Sequence, residues 1–144
     1  MEEVQTRRTS AVKPLTRQIG LGISIGLFMF FWLSVTIAAF NAKGCRGADT
    51  PPETKLGYCE RSEKYGGWMD VIPIERAKGS MLHLERGIAL AALGVKNEAV
   101  SSFQRALNDA GATAGPWKDN LAARIAQEND IAVQQAWNKA LKTQ

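Results

Sequence analysis

Two cysteines, one histidine and a set of closely spaced small residues are the places where this chain of 144 residues could do chemistry. Cys45 and Cys59 belong to no CxxC or CxxCH pattern, and with His83 the sole histidine a tetrahedral metal site would lack ligands. The pair suits a disulfide instead, which needs an oxidising compartment and would add roughly 3 kcal/mol by constraining the unfolded chain. Two free thiols of a cytosolic domain are the alternative. His83 has no Cys or Ser partner in a familiar arrangement, and the chain contains no G-x-S-x-G, H-E-x-x-H or phosphate-loop pattern. His83 is therefore expected as an ordinary residue of a helix surface or interface. No catalytic, metal-binding or cofactor-binding residue is expected, and the chain reads as non-enzymatic.

Gly20, Gly22 and Gly26 give no nucleotide fingerprint, because they lie inside an apolar run rather than after a strand. Their expected use is packing, the alternative being that glycine is simply commoner in membrane helices. Gly22-x-x-x-Gly26, overlapped by Gly20-x-x-x-Ser24, puts small residues on adjoining parts of a helix, where another membrane helix can approach closely.

The run itself, Ile19 to Phe40, carries no charged residue. Its length of about 22 residues spans on the order of 33 Å as a helix, enough to cross a bilayer with modest tilt. It exceeds the apolar core of a secretory signal, and Phe40-Asn41-Ala42 puts Phe where a cleavage site wants a small residue, so an uncleaved anchor is expected. A lipoprotein reading with Cys45 acylated is weakened by Ala42-Lys43-Gly44, which lacks the aliphatic residue usual three positions earlier. Arg7-Arg8 has only the pair itself in common with a twin-arginine signal.

Arg7, Arg8, Lys13 and Arg17 precede the run, against Lys43, Arg46 and Lys55 after it. This small bias places the N-terminus in the cytoplasm. Both cysteines lie beyond the run, and their pairing points the same way. The expected location is a bacterial inner membrane crossed once, with the C-terminal domain in the periplasm.

The organisation read from the sequence is a cytoplasmic tail over 1–18, a transmembrane helix over 19–40, a loop-rich linker with the disulfide over 41–67, and a helical domain over 68–144. The linker reading rests on Gly44, Gly47, Pro51, Pro52, Gly57, Gly66 and Gly67. The roughly 100 residues after the run suffice for one small domain. The net charge of +4 is spread among interspersed acids and bases, an ordinary solvated surface with no nucleic-acid footprint.

The fold class is all-α. The first helix is predicted from Ser80 to Leu93, with Leu84, Ile88 and Ala91/Ala92 in period and Gly94 as its stop. The second starts at Asn97 with Ala99, Val100, Phe103, Ala106 and Leu107 on one face. Pro116 opens a third with Trp117, Leu121 and Ile125. After a turn at Asn129-Asp130, a fourth is striped by Val133, Ala136, Trp137, Ala140 and Leu141.

These two successive hairpins resemble the tetratricopeptide repeat (TPR). Gly87 matches the small residue of that repeat's first helix, Leu90 takes its aromatic place, and Ala99, Phe103 and Ala106 match the small, aromatic and small residues of its second helix. Adding the family's repeat length of about 34 to the last three gives Val133, Trp137 and Ala140, and Trp117 takes the early tryptophan place of the second unit. His83 stands where tryptophan is usual, Leu121 where a small residue is, and Gly111 where the closing proline is. Any helical hairpin packs alanine against aromatic rings; the agreement in phase is what separates a repeat from a generic bundle. Such arrays need about three units, so the missing contacts must come from residues 68–78 folding back, the Cys45–Cys59 loop, self-association or a partner.

The resemblance implies protein–protein interaction. The expected partners are the lipid bilayer and other proteins of a membrane complex, in which the chain is an accessory subunit. The alternative is an envelope assembly factor that binds client proteins transiently. A flat apolar face continuous with the membrane helix would favour the subunit, and a large groove with polar side chains the assembly factor.

Overall fold

The computed structural model describes residues 13–143, with side chains from Gly20 onward. The tail residues Arg7 and Arg8, and the side chains of Lys13, Arg17 and Ile19, lie outside the described residues. The regular elements are α1 (Lys13–Cys45), α2 (Pro52–Gly66), a 3-10 helix (Gly67–Val71), α3 (Pro73–Ala92), α4 (Lys96–Ala110), α5 (Trp117–Ile125) and α6 (Ile131–Lys142). No strand occurs among the described residues. Among the described residues one helix is long and apolar enough to cross a membrane, over Gly20–Cys45.

A first unit ends at Ser34 and a second begins at Val35. In the first, α1 turns its apolar side chains outward all round: Leu21, Leu27, Phe28, Phe30 and Trp32 are all exposed. Its serines add no orphan polar group, because Ser24 and Ser34 each donate to the carbonyl four residues back, Gly20 and Phe30, at 2.9 Å.

The second unit takes in the last turns of α1. α2 runs antiparallel beside them, as the order of contacts shows. Cys45 is bonded to Cys59, Arg61 Nε donates to Asn41 Oδ1 at 3.1 Å, and Ser62 Oγ donates to the Ala38 carbonyl at 3.1 Å. α2 covers α3, α3 pairs with α4, and α6 packs on α4 with α5 against both members of that pair. The core interleaves Leu84 and Ile88 of α3, Phe103 and Leu107 of α4, Leu121 and Ile125 of α5, and Val133 and Trp137 of α6. Gly94 ends α3 with φ +80°, a left-handed conformation that glycine adopts without steric penalty. Asp130 caps α6 by accepting from the Ala132 amide at 2.8 Å.

Four expectations are corrected. Residues 41–67 are not a loop-rich linker: they hold the end of α1 and the whole of α2. The fully buried residues of α2 are Lys55, Cys59 and Ser62, and Leu56 adds one partly buried aliphatic contact with the core, so apolar periodicity had little to detect. The first helix of the hairpin region starts at Pro73 rather than Ser80, because proline at the first helical position has its missing N–H among groups that are unbonded anyway. The compact unit correspondingly begins at Val35, well before Trp68. Leu141, expected in the core stripe of α6, is 45% exposed.

Candidate functional site

The small residues of the apolar run lie on an open surface: nothing is within 4 Å of where a Cβ would stand on Gly20, Gly22 or Gly26. Ser24 folds its hydroxyl back onto the helix, so the strip remains shallow and free of unsatisfied donors.

The residues matched to the repeat meet in one core. Phe103 is fully buried, with its ring edge-on to Trp137 at 5.5 Å between centroids and 88° between planes. Gly87 lies directly beneath that ring, since a Cβ there would meet the Phe103 ring at 2.5 Å. Leu90, Ala99, Ala106, Val133 and Ala140 are buried around them, and Trp117 packs on the cluster while half-buried.

Sequence reasoning missed two clusters of charge. Glu85, 2% exposed, accepts from Lys55 Nζ at 3.0 Å and from Arg124 Nε at 2.7 Å, so one carboxylate ties α3 to α2 and to α5. Arg124 also pairs with Glu128. Burial opposes the Arg124 charge, but the bonds to Glu85 and then Glu128 outweigh it and raise its pKa. No local pattern announces this centre, because its three members come from distant parts of the chain.

The second cluster surrounds Asp109, which accepts from Arg76 Nε at 2.6 Å and faces His83 Nε2 at 3.4 Å and Arg105 Nε at 3.8 Å. Arg105 reaches on to Glu63 and Asp70. The hydrogen bond to Asp109 raises the Arg76 pKa. His83 is 5% exposed, so of its two expected places it takes the interface between helices and not the surface. Burial holds its imidazole below the ordinary value, the Arg105 charge pushes the same way, and Glu63, Asp109 and Asp70 oppose both. Burial thus favours the uncharged imidazole where the ring faces Asp109.

Two depressions flank the Asp109 cluster, and a third, about 490 Å³, has Lys55, Arg124 and Glu128 in its wall. The wider, about 510 Å³, is polar, with Arg76, Gln104, Arg105, Asn108 and Asp109 in its wall. The other, about 240 Å³, is mostly apolar and lies between Val35, Ala38, Ala39 and Ala42 of α1 and Gly67, Met69, Gly79 and Leu82. The exposed apolar stretch Val71 to Ile74 lies between Asp70 and Glu75 of its wall. Among the described residues no group of three or more His, Cys, Asp or Glu could hold a metal ion. No protein-family model, no curated protein and no solved structure matches the chain.

Proposed function

We infer that this chain is a non-enzymatic, single-pass membrane protein that serves as an accessory subunit of a larger membrane complex, with its TPR-like helical domain meeting other proteins. The observation that carries this reading is that the end of the charge-free run, from Val35 to Phe40, is itself part of the compact domain, where α1 is bonded to α2 at Ala38, Asn41 and Cys45. A membrane helix that doubles as domain framework suits a fixed place in an assembly better than a tethered, searching head. The charged groups support the same choice. Arg76, Arg105 and Asp109 in the wall of the polar depression are bonded among themselves or to Glu63 and Asp70, and so are engaged before any client arrives. α2, joined to α1 by the disulfide and to α3 by the Lys55–Glu85 pair, supplies contacts of the kind a further repeat unit would give.

The Cys45–Cys59 bond supports a domain on the oxidising side of the membrane, the periplasm in a double-membraned bacterium, with the N-terminus in the cytoplasm. In intact cells both thiols are expected to resist a membrane-impermeant maleimide until a reductant is added, and their reduction should lower domain stability by about 3 kcal/mol. Free thiols, or a C-terminus protected from protease in spheroplasts, would reverse the orientation.

The small-residue strip gives the test of complex membership. Gly22→Leu or Gly26→Leu should leave the chain in the membrane, since leucine inserts at least as well as glycine, yet hold a neighbouring helix away and reduce co-purification of the partner several-fold. If both variants retain the partner at the wild-type level, the helix does not make the contact and the binding passes to the domain.

A further inference from the structure

Residues 71–74 read Val-Ile-Pro-Ile, and every one is exposed. Val71 is 83%, Ile72 45% and Ile74 43% accessible, with Trp68 at 44% just before them. Water-soluble surfaces rarely keep so many consecutive aliphatic residues open. Nor is the stretch a ragged loop: it is the end of a 3-10 helix and the first turn of α3.

Its place in the second unit is defined by the antiparallel pairing of α1 and α2. Passing along α2 from Cys59 to Ser62 moves back along α1 from Cys45 to Ala38, and Gly66 then abuts the Ala38 side chain. The chain leaves α2 at that level, and Met69 shares a cavity wall with Val35, Ala38 and Ala39. Those α1 residues belong to the last part of the charge-free run, which ends at Phe40. From Phe40 back to Val35 is about 7 Å along a helix axis, and interfacial segments bury their apolar faces about 5–10 Å into the headgroup and acyl boundary.

We propose that the tip formed by Trp68 and Val71–Ile74 sits in the headgroup and acyl boundary of the bilayer, as a second membrane contact beside α1. The proposal rests on the reading of α1 as a membrane span. Three features select lipid as the occupant. The tip lies level with α1 residues that are themselves part of the apolar run. It carries a tryptophan, the residue type enriched where hydrocarbon meets headgroups. The acids around it are engaged, Asp70 and Glu63 sharing Arg105 and Glu75 paired with Lys78, and Lys64, two residues before the end of α2, is exposed to meet phosphate.

The test uses the full chain, oxidised, in vesicles of phosphatidylcholine with phosphatidylglycerol, carrying one added thiol labelled with an environment-sensitive fluorophore. Val71→Cys reports the tip; its side chain is exposed, so the fold should tolerate the change. Leu27→Cys reports the span, and Asn129→Cys, next to Glu128, which shares a cavity with Arg46 and Thr50 at the far end of α1, reports the distal surface. Lipids bearing a nitroxide near the acyl carbonyl should remove about half or more of the Val71 emission, and nitroxides near the terminal methyl should remove less. The Leu27 label should be quenched most by the deep nitroxide, and the Asn129 label by neither. A quenched Leu27 with Val71 open to aqueous iodide would overturn the tip while leaving the span in place. An unquenched Leu27 would overturn both. A Val71 label that is shielded from iodide but not quenched by lipid, with shielding that rises with protein density, would assign the tip to a protein contact and overturn the proposal.

Discussion

Phe103→Ala is expected to destabilise the domain by about 3 to 5 kcal/mol, a large share of the 5 to 15 kcal/mol that a small domain has in total. The side chain is fully buried, and what it leaves behind cannot close. Gly87 offers no side chain to move in, and the Trp137 ring, edge-on to Phe103, would lose its partner across α6. The cost therefore contains both the transfer of the ring and the cavity. The companion variant Gly87→Ala approaches the same spot from the other direction. Its Cβ would meet the ring at 2.5 Å, so the helices must separate and stability falls by about 1 to 3 kcal/mol. Urea unfolding of the full chain in mild detergent, followed by pulse proteolysis, measures both. Changes below about 0.5 kcal/mol in both would mean that α3 and α4 do not pack through this pair.

Glu85→Ala is expected to cost as much by another route. Removing one member of a buried ion pair leaves the other charged and dry, a loss of about 3 to 5 kcal/mol. Here Lys55, itself 5% exposed, would be stranded between α2 and α3, whereas Arg124 keeps Glu128. The double variant Lys55→Met with Glu85→Leu should recover most of the loss, because well-packed apolar groups replace a buried pair with little or no penalty. The same unfolding measurement decides. A double variant as unstable as Glu85→Ala alone would show that the site needs the charges themselves and not merely their absence or pairing.

Much of the helical framework was legible because its signals are local. The run to Phe40 is free of charge, Gly94 and Asp130 stand where a helix must stop and start, and Phe103 and Trp137 repeat in phase. The disulfide pairing was also legible, since two cysteines allow one intramolecular bridge. α2 was not, for a physical reason: its buried residues are Lys55, Cys59 and Ser62, secured by an ion pair, a covalent bond and a hydroxyl donated to a carbonyl, with the partly buried Leu56 its one aliphatic contact with the core. Read for helical spacing of any small or bonding residue, and not for apolar ones, the same stretch would have shown its stripe. Glu85 and His83 escaped because their partners, Lys55, Arg124 and Asp109, stand far away in sequence; a buried charge on a helix looks like a solvated one until its partner is in place. The exposed tip was hidden by the opposite error, since Val71, Ile72 and Ile74 look like core residues in a sequence and are not buried in the fold.

The central claim is that the chain is a fixed part of a membrane assembly. The most direct measurement is affinity purification of the full chain from membranes in mild detergent, with the co-purifying proteins identified and their ratios quantified before and after a wash in about 1 M salt, where exposed charge pairs are screened within about 3 Å. The account predicts one constant set of membrane proteins at a fixed ratio to this chain, undiminished by the wash. Recovery of the chain alone, or with a shifting and substoichiometric population of clients, would contradict it.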